Sequence, residues 1–307
     1  MSENFQSASS QNWVERILGA LEEADRRHST KLRRTLPLED PFFVSASDDF
    51  YGSFFFRPGG GGIASSVQAY LRMLETMRTL QRSFLETGRY PNESLAEAEG
   101  AVYANQSVMT DHMLGLALAQ FLWIDQFTRF RAFHEWLPDS AHPVFRYLEI
   151  GAGHGLYLRE AARQLPGANI QVLDISETSL DMVRAVGPGT ASYLLADFLE
   201  WVPEDSIPFD FLTIGEILEH VENPGDFLSK AHSLLAPRGR AFITTPCNAP
   251  MIDHVFLFEN RDEIRALLLS SNFRILKETS CATDNLPIED AERFQVPIMF
   301  AALVEKM

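Results

Sequence analysis

Residues 144–165 constrain the chain more than any other stretch. Val144, Phe145, Tyr147, Leu148 and Ile150 make a short apolar run of strand length. The run stops at Glu149-Ile150-Gly151-Ala152-Gly153-His154-Gly155, and over 156–165 the apolar residues recur at helical spacing. Strand, glycine turn and helix open a nucleotide-binding βαβ unit. Glycine allows the sharp turn, and without a Cβ a ligand can approach the backbone closely. The Gly-x-Gly-x-Gly spacing closes one residue sooner than the dinucleotide fingerprint, and Glu149 stands just ahead of it. Both details point away from a pyrophosphate cradle.

From this turn onward strands and helices alternate. Strands are expected over 170–173, 191–196, 209–214, 241–245, 273–277 and 296–304, with helices over 180–186, 224–235 and 263–269 between them. That alternation implies a mostly parallel, doubly wound sheet. Ligands of such sheets lie beyond the carboxyl ends of the strands, where the glycine turn, Asp174, Asp197 and Glu216 all fall.

The N-terminal part has a different pattern. Residues 1–11 are polar and expected to be a disordered tail. Trp13, Val14, Ile17, Leu18 and Leu21 then repeat at helical spacing, ending in a basic cluster from Arg26 to Arg34 that reads as a solvated helix end. Between 41 and 56 come Phe42, Phe43, Phe50, Tyr51, Phe54, Phe55 and Phe56, read as packing ahead of a lid over an apolar ligand. Gly59 to Gly62 read as a flexible joint. A long amphipathic helix is expected over 63–84, and a third helical region, with a bend, over 95–137. The domains expected are a tail (1–11), a helical cap or substrate domain (12–142) and an α/β domain (143–307).

Composition mostly excludes. With Lys and Arg at 26 against Asp and Glu at 42, the net charge is −16, which opposes a general grip on phosphate backbones or anionic membranes. The two cysteines, Cys247 and Cys281, make neither a disulfide framework nor a thiolate metal cage. The first residues have no basic start or apolar core, and no run reaches membrane-spanning length, so a cytoplasmic protein is expected. The long apolar helices suit a homodimer interface as well as a lid.

The residues able to carry chemistry gather at strand ends. Asp174 ends the second strand; an acceptor-only carboxylate there can take both hydrogen bonds of a ribose diol, although Asp174-Ile175-Ser176 also suits a helix cap. Asp197 and Phe198 follow the third strand. After the fourth comes T-I-G-E-I-L-E-H-V-E-N-P, where Glu216, Glu219 and His220 stand at i, i+3 and i+4, one face of a helical turn. Two carboxylates and an imidazole converging there suit a divalent cation, Mg²⁺, Mn²⁺, Fe²⁺ or Zn²⁺. His254, after the fifth strand, is a candidate fourth ligand, with Asp253 a weaker substitute. Without a metal, His220 or His254 is the leading general base. His154 reads as a shaper of the glycine turn. His112 is a candidate for the substrate side, and Tyr103, Trp123 and Phe127 are lid candidates.

E-I-G-A-G-H-G resembles the first motif of class I S-adenosylmethionine-dependent methyltransferases, and four motifs in order extend the resemblance over roughly 144–306. The resemblance implies a Rossmann-like doubly wound, mostly parallel seven-stranded sheet, here with an N-terminal all-helical cap. It implies S-adenosylmethionine contacts from Glu149, Gly151, Gly153, Gly155, Asp174 (ribose), Asp197 and Phe198 (adenine), and Gly215. The Glu-x-x-Glu-His pattern resembles two metal-using branches, the catechol O-methyltransferases of ubiquinone biosynthesis and the small-RNA 3′-terminal 2′-O-methyltransferases. It implies a metal at Glu216, Glu219, His220 and His254, with Glu219, His220 and His254 as the catalytic set, meeting neighbouring oxygens of the acceptor. The expected function is therefore methyl transfer to a small molecule, with oxygen favoured over carbon. RNA 2′-O-methylation is the alternative, opposed by the overall charge and by the lack of an appended RNA-binding module. A non-catalytic scaffold that keeps the fold is a third reading, opposed by the intact glycine turn, Asp174 and Asp197.

Overall fold

The computed structural model describes residues 12–57, 62–92, 94–98, 102, 105–138 and 145–307. The expected tail, the glycine joint apart from Gly62, Tyr103 and Val144 lie outside the described residues. Among the described residues seven helices come first: α1 (Trp13–Ala24), α2 (Arg26–Thr35), α3 (Pro41–Phe56), α4 (Ile63–Thr87), the short α5 (Leu95–Ala98), α6 (Gln106–Leu122) and α7 (Ile124–Trp136). The α/β part follows as β1 (Arg146–Ile150), α8 (Leu156–Gln164), β2 (Asn169–Asp174), α9 (Glu177–Val186), β3 (Ser192–Leu195), β4 (Phe209–Gly215), α10 (Pro224–Leu234), β5 (Leu235–Cys247), α11 (Arg261–Ser270), β6 (Phe273–Ala282), α12 (Ile288–Arg293) and β7 (Ile298–Lys306).

Local chemistry sets most helix ends. Asp25 accepts from the His28 N–H and caps α2, so the stretch that reads as one helix breaks in two there. Asp40 accepts from the Phe42 N–H, and Pro41 takes the first position of α3, where its missing N–H costs nothing. Gly88 closes α4 at φ 70°, a conformation that disfavours side chains. Trp123 is extended and makes the bend between α6 and α7.

The seven strands form one sheet of order β3-β2-β1-β4-β5-β7-β6. β2, β1, β4 and β5 pair in parallel, as do β2 and β3, while β7 runs antiparallel between β5 and β6. The chain leaves β1 for β2 on one side and returns to β4 on the other, which opens a crevice at the carboxyl end of β1. β5 is longer than its apolar run because Ala236-Pro-Arg-Gly-Arg, which reads as a turn, joins the strand across a register shift against β4.

Each face of the sheet is covered. One face meets α10 and α11 through Leu148, Ile150, Ile214, Phe227, Leu228 and Leu268. On the other, a single apolar cluster runs from the N-terminal helices through α7 and α8 to Tyr147, Phe211 and Phe242. α7 lies directly on the sheet: Phe133 packs 5.0 Å from Phe242 and 4.8 Å from Tyr157, ring centre to ring centre. The aromatic run of α3 is buried in that cluster, with Phe43 edge-on to Phe127 at 4.8 Å and the Tyr51 hydroxyl donating to the Leu118 carbonyl. Phe127 is therefore a packing residue. Among the described residues no helix is long and apolar enough to cross a membrane.

Candidate active site

A cavity of 930 Å³ opens at the β1 crevice and continues into the helical part. Its size is near the upper end for a single-ligand pocket, leaving room for two small molecules. Gly151, Ala152, Gly153 and His154 form one wall. Gly151 has φ 67°, a backbone conformation that favours glycine, and a Cβ there would also have to push aside the end of the Ile217 side chain, 2.2 Å away. Gly153 also has positive φ, and its N–H points at the Asp174 carboxylate from 3.5 Å. His154 is neutral: burial pushes its pKa down to about 4.

Two residues expected on the cofactor do not line the cavity. Glu149 lies beneath the turn, 2% exposed, accepting from the Tyr147 hydroxyl at 2.6 Å. Burial pushes its carboxyl up to about 8. Gly155 begins α8 and faces Val183 and Val186, where a Cβ would clash at 2.7 Å. Both build the turn from behind. Asp174, Asp197, Phe198 and Gly215 do line the cavity. Asp174 is buried, and its Oδ1 accepts from the Ser176 N–H at 2.9 Å, so the capping and ligand-facing readings coexist on two oxygens. Burial raises its pKa to about 6. Asp197 accepts from the Leu199 N–H, and Phe198 packs 4.5 Å from Phe227.

Deeper in, Glu219, His220 and His254 each offer one ligand atom to a group whose atoms lie within 4.8 Å of one another. A 3-10 turn, Leu218–His220, carries the first two. The Glu219 carbonyl accepts the N–H groups of Val255 and Phe256, which staples the His254 loop to that turn. Tyr90 and Asn92 hold the same loop from outside, through the Ala249 N–H and the Ile252 carbonyl. His254 Nδ1 lies 2.6 Å from the Ala249 carbonyl, and His220 Nδ1 lies 3.0 Å from the Asp253 carbonyl. A carbonyl only accepts, so in the neutral rings the proton sits on Nδ1 and the lone pair on Nε2. Both Nε2 atoms face Glu219 Oε1, at 3.9 and 4.0 Å. Glu219 Oε2 accepts from Thr245, while buried Oε1 has no hydrogen-bond partner. Burial, then Glu216, raises the Glu219 pKa. Burial drops His254 to about 3.

Asp253, a weaker ligand candidate by sequence, lies between His112 Nε2 (3.7 Å) and His220 Nδ1 (3.6 Å). Although burial opposes ionisation, the surrounding His220, His112 and His254 hold its pKa near 2. His112 comes from α6 and lines the cavity, as does Trp123.

Glu216 departs from expectation. It does not sit on one face with Glu219 and His220, because its backbone is left-handed, φ 55°, at the strand end and the turn begins after it. Its carboxylate pairs instead with Arg129 of α7, whose side chain is 1% exposed. Sequence reasoning passed over Arg129 and its neighbour Asp125, which is buried on the cavity wall. Their signal was two opposite charges at i and i+4 inside an aromatic helix, W-I-D-Q-F-T-R-F.

Comparison with known proteins identifies the family. A family model described as a methyltransferase domain matches residues 120–278, more than half of the chain. The ubiquinone biosynthesis O-methyltransferase of Acinetobacter baylyi is 26% identical over 136 residues, 40% of this chain and 56% of that protein. The protein of that name from Aeromonas salmonicida is 30% identical over 135 residues, with the same coverage. The chain thus spans about half the length of the curated relatives it matches. Among solved structures, phosphoethanolamine N-methyltransferase 2 of Haemonchus contortus with S-adenosyl-L-methionine superposes with a TM-score of 0.50 at 15% identity, over 71% of this chain and 61% of that one, a likeness of fold alone. By sheet order, glycine turn and family match, this chain belongs to the methyltransferase domain family, has the Rossmann-like fold of class I S-adenosylmethionine-dependent methyltransferases and is similar in sequence to the O-methyltransferases of ubiquinone biosynthesis.

Proposed function

We propose that the chain methylates an oxygen of a small molecule with vicinal oxygens, assisted by a divalent metal held by Glu219, His220 and His254. The observation that carries this reading is the buried, unpartnered Glu219 Oε1 facing two imidazole Nε2 atoms across the cavity wall. One oxygen and two nitrogens suit Mn²⁺, Fe²⁺ or Zn²⁺ better than Mg²⁺, which prefers oxygen donors. Glu216 is left out of this set, being engaged by Arg129.

In this reading Asp174 accepts from the ribose diol, Asp197 and Phe198 contact the adenine, and Gly151, Gly153 and Gly215 let the cofactor approach the backbone. S-adenosylmethionine supplies the methyl group on a sulfonium. A divalent ion held by Glu219, His220 and His254 would lower the pKa of an acceptor hydroxyl and fix neighbouring oxygens. With both reactants bound, the acceptor oxygen would attack in line, the carbon–sulfur bond breaking as the carbon–oxygen bond forms, and the hydroxyl proton would pass to solvent, because His220 has its Nδ1 proton on the Asp253 carbonyl and its Nε2 turned to the metal. The Ala249 and Asp253 carbonyls keep both imidazoles in the required tautomer. Binding both reactants side by side supplies most of the acceleration.

The test is a thermal melt with S-adenosylhomocysteine, repeated with each metal and with a chelator, beside turnover on a catechol. Ligand at a hundred times its Kd adds about 2.7 kcal/mol. A cofactor shift, a further chelator-reversible metal shift and loss of turnover in Glu219→Ala with the cofactor shift retained are expected. Chelator-insensitive turnover in that variant would sink the metal-assisted mechanism.

A further inference from the structure

We infer that the acceptor is an amphiphile, whose anionic group, a phosphate or carboxylate, sits on arginines of α2 and α4 while its apolar part fills the helical half of the cavity. This rests on reading that cavity as the acceptor site. Beyond the histidine cluster the walls turn apolar: Leu74 and Met77 come from α4, and Met109, Met113 and Leu116 from α6. Methionine side chains adapt to chains of varied shape. At the opening, Leu85 and Phe294 are more than half exposed and carry the apolar lining out to the surface.

The other side of the opening is cationic, which is unexpected in a chain of net charge −16. Arg27, Lys31 and Arg78 line it. Lys31 is paired with Asp284 at 2.7 Å, and Asp25 caps α2. Arg27 and Arg78 have no ion-pair partner among the described residues. His28, beside them, has its pKa lowered, chiefly by burial, and meets the Tyr70 hydroxyl. A second groove of 660 Å³ adjoins the opening and shares Arg27 and Arg78 with it. Arg82 and Arg26, the latter paired with Glu22 at 3.9 Å, add guanidinium groups there, against Asp25 and Glu75.

The two cavities together describe one ligand. Guanidinium forks match phosphate and carboxylate oxygens, and they hold them best where the same ligand also buries apolar surface. The basic cluster after α1, which sequence alone reads as a solvated helix end, thereby acquires a ligand. An RNA strand fits less well: the cations form one small rim, and the chain as a whole carries a net charge of −16.

The experiment is calorimetric titration of the full chain, saturated with S-adenosylhomocysteine and free of metal, with n-octyl phosphate, octanoate, 1-octanol, inorganic phosphate and a short oligoribonucleotide. Octyl phosphate or octanoate should bind at least tenfold tighter than octanol and inorganic phosphate. Whichever anion leads names the group. In the doubly substituted Arg27→Gln, Arg78→Gln chain that preference should vanish; both positions are exposed, and unchanged S-adenosylhomocysteine affinity checks the fold. Octanol or inorganic phosphate binding as tightly as the alkyl anions, a preference that survives the double substitution, or tighter binding of the oligonucleotide would each overturn the inference. Because the readout is metal-free binding, failure of metal-assisted turnover leaves this result standing, and the reverse also holds.

Discussion

At the residue scale, burial sets the charge states. Asp174 shows the consequence most directly. Desolvation lifts its carboxyl to about 6 even though the Ser176, Gly153 and Ile175 backbone N–H groups favour the charged form. A ribose diol donates two hydrogen bonds, which only the ionised carboxylate accepts fully. S-adenosylhomocysteine affinity should therefore rise as pH increases through about 6 and level off above pH 7. Asp174→Asn should cost roughly 10- to 100-fold in affinity, the worth of a charged hydrogen bond, and flatten that profile. Titration calorimetry from pH 5 to 8 checks both, and a wild-type affinity that ignores pH would remove Asp174 from the ribose. In the sequence, Asp174 was legible by its distance from the glycine turn. That Glu149 and Gly155 support the turn from behind was not, because side-chain direction depends on what packs against it.

At the element scale, α7 ties the helical part to the chemistry. It lies on the sheet through Phe133 and delivers Arg129 to Glu216. The two partners are unequal: the Arg129 side chain is 1% exposed, while that of Glu216 is 30% exposed. Removing Glu216 strands a buried guanidinium, whereas removing Arg129 leaves a carboxylate that can turn to water. Glu216→Ala should thus destabilise the metal-free chain by about 3–5 kcal/mol, and Arg129→Met by clearly less. Chemical denaturation in the presence of a chelator measures the difference; equal losses would mean that Glu216 is as confined as Arg129. This pair also explains why the Glu-x-x-Glu-His spacing misled. A helical face requires helical backbone, and Glu216 sits at φ 55° on the strand side of the turn.

At the scale of the whole molecule, two opposed sets of buried groups shape the pH dependence. His154 and His254 have pKa values pushed down by burial to about 4 and about 3, below the unfolded value of 6.5. The unfolded chain binds their protons first, so their contribution is complete above pH 6.5 and falls away as pH drops toward 4 and 3. Glu149 and Asp174 are raised to about 8 and about 6, so they favour the folded chain at low pH and lose that contribution as pH rises through those values. Glu219, also raised by burial and then by Glu216, belongs with these carboxyls. The melting temperature of the ligand-free chain should therefore fall below about pH 4, where the histidines dominate, and fall again above about pH 6.5, where only the carboxyls still titrate. His154→Phe should soften the acid limb. Scanning calorimetry from about pH 3 to 9 decides it, and a monotonic profile would count against one of the two sets.

Strand and helix periods, the glycine turn and the order of the motifs were enough to predict the doubly wound sheet. Those signals are local: alternation, caps and turns depend on near neighbours in the chain. Only the tertiary structure decided which charges meet. Asp253 with His112 and Glu216 with Arg129 join elements far apart in sequence, and Arg27 and Arg78 line one cavity from two helices. Such meetings depend on packing between layers, and no spacing along a single stretch encodes them.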